Sequence, residues 1–132
     1  MKKILITGAS GGIGSSIAEK FLNNNFKMIL TSSSELTLSQ LKEKYGSSHY
    51  YYVLDFHEPD KNNTILKKIS EAHQDIGVIV NNAGITDDAL LLRMKTEQWN
   101  NVIQANLSSN FTIIKSLLPN MIKNKAGNII GI

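Results

Sequence analysis

The sequence contains no cysteine, carries little net charge and has no long hydrophobic run. The absence of cysteine excludes disulfides, thiolate metal sites and a cysteine nucleophile, and it indicates a reducing compartment. The formal net charge is only +3, and the lysines are scattered, so nothing indicates nucleic-acid binding. The first apolar run, residues 4–6, stops at Thr7 and is far too short for an export signal. We therefore expect a cytoplasmic protein without nucleic-acid or membrane partners.

Three histidines are the remaining candidates for metal ligands. His49, His57 and His73 lack the spacing typical of metal sites, and no cysteine can complete a site. We therefore predict no metal site and expect these histidines at the surface or in turns.

Short apolar runs predict five strands, at residues 4–6, 28–30, 51–54, 78–80 and 129–130. The runs are continuous rather than alternating, which is typical of a parallel sheet covered on both faces. Apolar residues at helical spacing predict helices between them. The first three stripes are Ile13, Ile17 and Phe21; Leu38, Leu41 and Tyr45; and Ile65 with Ile69.

A fourth, longer helix is predicted from its N-cap near Thr96 to Pro119, which should kink or end it. Its apolar stripe consists of Trp99, Ile103, Leu107, Ile114 and Leu118. The alternation of strands and helices predicts an α/β fold with a doubly wound parallel sheet. The last apolar run reaches Ile132 with nothing after it to cover it, so we expect residues 1–132 to be one domain that is incomplete at its C-terminal end.

A glycine-rich loop, Thr7-Gly8-Ala9-Ser10-Gly11-Gly12-Ile13-Gly14, joins the first strand to the first helix. Gly8 suits a sharp turn off the strand, Gly12 lets the backbone approach a pyrophosphate, and Gly14 permits close contact between helix and strand. The helix N-terminus attracts phosphate through its free N–H groups and its dipole. A plain glycine-rich turn is the alternative, but the strand before and the helix after favour a dinucleotide site.

The choice of cofactor is usually determined at the end of the second strand, where a carboxylate would bind the ribose 2′-hydroxyl of NAD. This chain has Thr31-Ser32-Ser33-Ser34 there. Hydroxyl groups do not repel a 2′-phosphate, so the sequence favours NADP over NAD. A simple serine-rich turn remains the alternative interpretation.

The glycine loop together with Asn81-Asn82-Ala83-Gly84 resembles the short-chain dehydrogenase/reductase family, which has a Rossmann fold. Within that family, the chain is similar to the bacterial 3-oxoacyl-(acyl-carrier-protein) reductases. The residues that carry this narrower resemblance are Asn82 to Thr86, Asp88, Leu91, Arg93, Met94, Trp99 and Asn106 to Ser109.

The resemblance implies NADPH as cofactor and a set of residues around it. The implied cofactor-binding residues are Gly8, Ala9, Ser10, Gly11, Gly12, Gly14, Ser33, Asp55, Phe56, Asn82, Ala83 and Gly84. Asp55 and Phe56 would border the adenine, although Asp55 alone could equally cap a strand end. Many NADPH-using relatives have an arginine where this chain has Gly11, which is a departure from the pattern.

Asn106 is implied as the catalytic asparagine, which in this family bends a helix and holds a water in the proton relay. Its spacing from Val102 and Ile103 would turn it towards the apolar face of a helix, where a buried amide needs hydrogen-bond partners. A satisfied core asparagine is the alternative, and Asn110 on nearly the same stripe shows that position alone does not decide.

The resemblance further implies reduction of 3-oxoacyl groups on acyl-carrier protein in fatty-acid elongation, by a homo-tetramer. Lys123 and Lys125 occupy a region that relatives use to meet the acidic carrier protein, although a solvated helix end explains them equally well. The family's serine is expected just beyond Ile132, and no tyrosine here is followed four residues later by lysine, so the serine and the Tyr-x-x-x-Lys are both missing. We therefore expect the 132-residue chain itself to be inactive. The alternatives are a relative with another carbonyl or alcohol substrate, or a non-catalytic nucleotide-binding module.

Overall fold

A computed structural model describes residues 2–132. Strands and helices alternate along the chain as β1 (Lys3–Ile6), α1 (Gly12–Leu22), β2 (Met28–Ser32), α2 (Glu35–Tyr45), β3 (Tyr50–Val53), α3 (Pro59–Ala72), β4 (Ile76–Asn81), α4 (Thr96–Ile103), α5 (Ser109–Lys123) and β5 (Asn128–Gly131). A short 3₁₀ turn, Leu91–Arg93, precedes α4, and a π-helical turn, Gln104–Ser108, joins α4 to α5.

The five strands form one parallel sheet in the order β3-β2-β1-β4-β5. The chain moves outwards from β1 to β3 and then returns to the other side of β1 with β4. The strand order therefore reverses between β1 and β4, and ligands bind at such a point in open α/β sheets. The predicted doubly wound parallel sheet is confirmed.

Two apolar layers cover the two faces of this sheet. Ile4 and Ile6 of β1 pack in one layer with α1 and α2, whereas Leu5 faces the other layer with α3 and α5. Successive residues of a strand point to opposite faces, so a continuous apolar run is what a doubly covered strand requires. The stripe of Leu38, Leu41 and Tyr45 is buried as predicted.

The predicted stripe of α1 is wrong at its first residue. Ile13 is 61% exposed and lies beside the glycine loop. The buried residues of α1 are Gly14 and Ala18. These small residues allow the start of α1 to lie close to the sheet. Ile13 is one position before Gly14, so its side chain points away from the sheet.

The stripe predicted along α4 and α5 is also wrong in part. Trp99 is 57% exposed and Leu107 is 64% exposed. The buried face of α5 consists instead of Ser109, Ile113, Leu117 and Met121. A π-helical turn contains more residues per turn than an α-helix, so the turn at Gln104–Ser108 shifts the phase of everything after it.

Two further expectations for the long helix need correction. The N-cap is Lys95 rather than Thr96, and the N–H of Lys95 is bound by Gln98 Oε1 at 2.9 Å. Pro119 does not end the helix, because α5 continues to Lys123. Proline has no backbone N–H group, so the Lys115 carbonyl lacks its helical hydrogen-bond donor. Pro119 and Lys115 are both exposed, so water can bind that carbonyl instead.

The expectation for the histidines holds only for His57, which is exposed. His49 is 8% exposed, and its Nδ1 accepts a hydrogen bond from the Met28 N–H at 3.2 Å. His73 is 3% exposed and lies against Tyr50 and Tyr52. Both rings lie at the amino ends of the strands. There a ring nitrogen of His49 binds a backbone N–H group, and a ring nitrogen of His73 binds a tyrosine hydroxyl.

Candidate functional site

The loop after β1 is shaped by two glycines whose surroundings leave no room for a side chain. Gly8 has φ +61°, and a Cβ there would lie 2.8 Å from the Ala83 Cα. A Cβ on Gly14 would lie 2.7 Å from Asn82 Nδ2 and closer still to the Gly8 oxygen. Both glycines therefore allow the loop after β1 to touch the loop after β4.

Hydrogen bonds from Thr7 and Asn82 hold these two loops together. Thr7 Oγ1 accepts hydrogen bonds from the N–H groups of Asn82 and Ala83 at 3.1 and 3.0 Å. Asn82 Nδ2 donates to the carbonyls of Thr7 and Gly8 at 3.2 and 3.1 Å. Thr7 was not among the predicted site residues, although a polar residue at the end of a buried strand is a recognisable signal.

A cleft of about 390 Å³ opens between these loops at the carboxyl ends of the strands. The predicted binding residues that line it are Gly8, Ser10, Gly11, Gly12, Gly14, Ser33, Phe56, Asn82, Ala83 and Gly84. Ile13, Ser32 and Ile85 also line it and were not predicted. Residues from widely separated parts of the sequence thus meet at the point where the strand order reverses.

The start of α1 faces this cleft with its first turn uncapped. Gly11 is the N-cap, and no side chain within residues 2–132 binds the N–H groups of that turn. A Cβ on Gly12 would meet no atom within 4 Å. The free N–H groups and the open space over Gly12 are suited to a phosphate at the helix N-terminus, so the residues present fit a dinucleotide pyrophosphate.

Two of the predicted binding residues, Ala9 and Asp55, do not line the cleft. Ala9 is fully buried, and its N–H donates to the Thr31 carbonyl at 3.2 Å. Asp55 Oδ1 accepts the His57 N–H at 3.0 Å, which matches the capping alternative for this residue. The Asp55 backbone is also held by Asn62, so Asp55 fixes the loop that carries Phe56 into the cleft.

At the end of β2 the serine hydroxyls have different surroundings. Ser32 Oγ is hydrogen-bonded to Thr37 Oγ1. Ser34 is the N-cap of α2, and its Oγ accepts the Thr37 N–H at 3.3 Å. Ser33 is exposed and lines the cleft. Among the described residues of this turn, Ser33 is therefore the exposed serine that lines the cleft.

Asn106 lies in the π-helical turn and is bound to the loop after β4. Its Oδ1 accepts the Ile85 N–H at 2.8 Å, and its Nδ2 donates to the Ile85 carbonyl at 2.9 Å. The Asn106 carbonyl accepts a hydrogen bond from Asn110 Nδ2 at 3.0 Å. Asn106 is exposed, so its predicted place on the apolar face is wrong, because the π-helical turn rotates it away from the core.

A second polar cluster lies at the amino edge of the sheet, away from the cleft. His73 Nε2 is hydrogen-bonded to Tyr52 Oη at 2.9 Å, and the Lys3–Asp75 ion pair lies nearby at 2.7 Å. Burial lowers the pKa of His73 below its ordinary value of 6.5, and the charge of Lys3 lowers that pKa further, against an opposing effect of Asp75. The imidazole is therefore neutral at physiological pH.

Across residues 2–132, no three His, Asp or Glu side chains gather in an arrangement that could hold a metal ion. In the same part of the chain, every helix is too short or too polar to cross a bilayer.

Comparison with known proteins gives consistent matches. A family model described as short chain dehydrogenase matches residues 2–132. The chain is 40% identical over 131 residues to a 3-oxoacyl-[acyl-carrier-protein] reductase of Escherichia coli, covering 99% of this chain and 54% of that protein. It is 37% identical to the corresponding reductase of Vibrio cholerae, again over 99% of this chain and 54% of the relative. The chain thus spans about half the length of the curated relatives it matches.

Solved structures agree with the fold. A metagenomic short-chain oxidoreductase in complex with NADP superposes with a TM-score of 0.89 at 28% identity, covering 98% of this chain and 61% of that chain. The resemblance inferred from the glycine loop and the Asn81–Gly84 segment is thereby confirmed.

Proposed function

The chain belongs to the short-chain dehydrogenase family, and on this premise we propose that the intact protein uses NADPH to reduce 3-oxoacyl groups carried on acyl-carrier protein. The product is the 3-hydroxyacyl thioester, as in fatty-acid elongation in the cytoplasm. The reductases of Escherichia coli and Vibrio cholerae that this chain resembles support the choice of substrate.

The observation that carries the proposal is the cleft at the switch point between β1 and β4. Its uncapped helix start and open space over Gly12 suit a pyrophosphate. Ser33 would bind the adenosine ribose, and Asn82 with Gly84 would flank the ribose on the nicotinamide side. The NADP complex of the metagenomic relative supports a nicotinamide cofactor for this cleft.

The bound cofactor would supply a hydride to the carbonyl carbon of the substrate. This chain's own contribution would be to bind and orient that cofactor and to position Asn106 beside it. We propose that Asn106 holds a water that passes a proton towards the active site. Its side chain is fixed by Ile85, which lines the cleft, so the amide is already oriented before substrate binds.

We further propose that the intact protein acts as a homo-tetramer. The support for self-association is the apolar outer face of α5, where Phe111, Leu118 and Ile122 are exposed together. An exposed apolar patch of this kind is typical of a surface that another chain covers.

The proposal is tested by assaying the intact protein with acetoacetyl-acyl-carrier protein and NADPH, following the loss of NADPH absorbance. We expect turnover with the thioester and much slower turnover with serine or a simple ketone. A preference for one of those smaller substrates would favour another member of the family, and the absence of any turnover with bound NADPH would favour a non-catalytic module.

The 132-residue polypeptide provides a matched control. It holds the cleft residues but not the family's serine and Tyr-x-x-x-Lys, so we expect it to be inactive. Reduction of the thioester by this polypeptide would contradict the expectation that the family's serine and Tyr-x-x-x-Lys are required for the reaction.

A further inference from the structure

We infer that Asn110 is a positioning residue for Asn106, and that it acts by binding the Asn106 carbonyl within the π-helical turn. This role rests on the proposed function, because the orientation of Asn106 affects the reaction only if Asn106 holds the proposed water. Asn110 is the second residue of α5 and does not line the cleft, so its effect passes through Asn106.

The side chain of Asn106 is confined against the loop after β4. Its amide binds both backbone polar groups of Ile85, at 2.8 and 2.9 Å. A Cβ on Gly84, which lines the cleft, would lie 3.0 Å from Asn106 Oδ1. The amide therefore lies directly against the cleft wall. A small displacement of the Asn106 backbone would change where this amide points, and small misplacements of groups at an active site are costly for rate.

The backbone of Asn106 lies in a turn that departs from the α-helical hydrogen-bond pattern. The Ser109 N–H donates to the Gln104 carbonyl, which is five residues earlier rather than four. Turns of this kind are rare in proteins. Interactions outside the regular backbone pattern are therefore needed to hold the turn, and with it the position of Asn106.

Side chains at the start of α5 supply such interactions. The hydroxyls of Ser109 and Thr112 each donate to the carbonyl four residues earlier, and Asn110 Nδ2 donates to the Asn106 carbonyl at 3.0 Å. Three of the five carbonyls of the π-helical turn thus accept a hydrogen bond from a side chain. Hydroxyl contacts of this type often bend helices, so they can help to fix an irregular turn.

Asn110 differs from the two hydroxyl residues because it binds Asn106 itself. Asn106 is held through its side chain by Ile85 and through its backbone carbonyl by Asn110. Removing the Asn110 donor would loosen the peptide group next to the Asn106 side chain, and only the contacts with Ile85 would then orient the amide. The bond from Asn110 should therefore affect the rate of the reaction rather than the binding of cofactor or substrate.

The test replaces Asn110 in the intact protein with leucine, which has a similar size but no donor. With acetoacetyl-acyl-carrier protein and NADPH, Asn110→Leu should lower kcat about tenfold through the lost hydrogen bond and leave KM unchanged. Asn110→Ser should restore kcat, since hydroxyls in this helix reach the carbonyl four residues earlier. Asn110→Ala carries the same expectation as Asn110→Leu if leucine disturbs the fold, which circular dichroism checks. An unchanged kcat in the folded variant would overturn the assignment.

Two comparisons separate positioning from a general loss of stability. Ser116→Ala removes the same type of bond farther along α5, from Ser116 Oγ to the Thr112 carbonyl at 2.8 Å, and should leave kcat unchanged. In the Asn106→Ala background, Asn110→Leu should cause no further fall in kcat, because its effect passes through Asn106. A further fall in that background would show that Asn110 acts elsewhere and would exclude the positioning role.

Hydrogen exchange of the Ile85 N–H, followed by NMR, gives a readout that needs no substrate. Asn106 Oδ1 accepts this N–H, so Asn110→Leu should speed its exchange about tenfold, whereas Ser116→Ala should not. Equal exchange in Asn110→Leu and the unaltered protein would contradict the positioning of Asn106 by Asn110. If the unaltered protein reduces no thioester, the proposed function fails, and the exchange of the Ile85 N–H still decides whether Asn110 positions Asn106.

Discussion

Replacing Gly14 with alanine should destabilise the junction between the two loops that form the cleft. A Cβ at position 14 would lie 2.7 Å from Asn82 Nδ2 and 2.9 Å from the Gly8 carbonyl carbon. The Asn82 amide is held by hydrogen bonds to the carbonyls of Thr7 and Gly8, and Gly8 is backbone. Neither neighbour can move aside without breaking contacts that join β1 to β4.

The expected magnitude follows from these contacts. Overpacking at a close contact costs about 1–3 kcal/mol. Displacing Asn82 would also weaken two hydrogen bonds, each of which contributes about 1 kcal/mol. We therefore expect the free energy of unfolding to fall by about 3–5 kcal/mol, a large part of the ~5–15 kcal/mol that stabilises a typical domain.

The matched control is Gly12→Ala, two residues earlier in the same loop. A Cβ on Gly12 would meet no protein atom within 4 Å, so the stability should be unchanged or slightly raised, since alanine favours the helix over glycine. The methyl group would instead occupy space over the helix start, and NADPH affinity should fall by about tenfold or more.

The assay compares urea unfolding of the intact protein and both variants by circular dichroism without cofactor, and then titrates each with NADPH. Gly14→Ala should shift the unfolding midpoint, and Gly12→Ala should shift only the dissociation constant. Equal unfolding midpoints for the two variants would refute the reasoning, because the close packing at Gly14 would then not stabilise the loops.

Three other perturbations have defined outcomes. The lowered pKa of His73 means that the unfolded chain binds a proton more readily than the folded chain, so stability should fall as pH drops below 6.5. His73→Phe should reduce that dependence, and a pH slope of unfolding equal to that of the unchanged protein would contradict this. Asn106→Ala removes both hydrogen bonds to Ile85 and should lower kcat about a hundredfold, while the affinity for NADPH changes little. Steady-state kinetics and NADPH titration measure the two effects, and an unchanged kcat would exclude the proposed proton relay. Ile122→Glu places a charge on the outer face of α5 and should reduce the oligomer to smaller species in light scattering; an unaltered mass would remove that face from the tetramer contacts.

The fold could be predicted because its signals are local and repeated. Each strand is an apolar run, and each of the first four runs is followed by a helix, so the order of elements nearly fixes a parallel sheet. The glycine loop could be placed for the same reason, because it lies between a strand and a helix that were both recognisable. Most of the residues predicted for the cleft do line it.

The errors have separate physical causes. The π-helical turn at Gln104–Ser108 changes which residues of the following helix face the core, and no residue type in that stretch indicates such a turn. The prediction therefore places Leu107 inwards and overlooks Ile113, whereas Trp99 precedes this turn and its exposure is not explained by it. The burial of His73 was missed because its partner Tyr52 is distant in sequence and the contact exists only once β3 and α3 are folded.

The glycines of the loop after β1 fall into two groups that the sequence motif does not distinguish. Gly8 and Gly14 face protein atoms, and their missing side chains allow the loops after β1 and β4 to touch. Gly11 and Gly12 face the cleft, and their missing side chains leave space for a ligand. Substitutions in the first group should therefore alter folding, whereas substitutions in the second should alter which ligand is bound and how tightly.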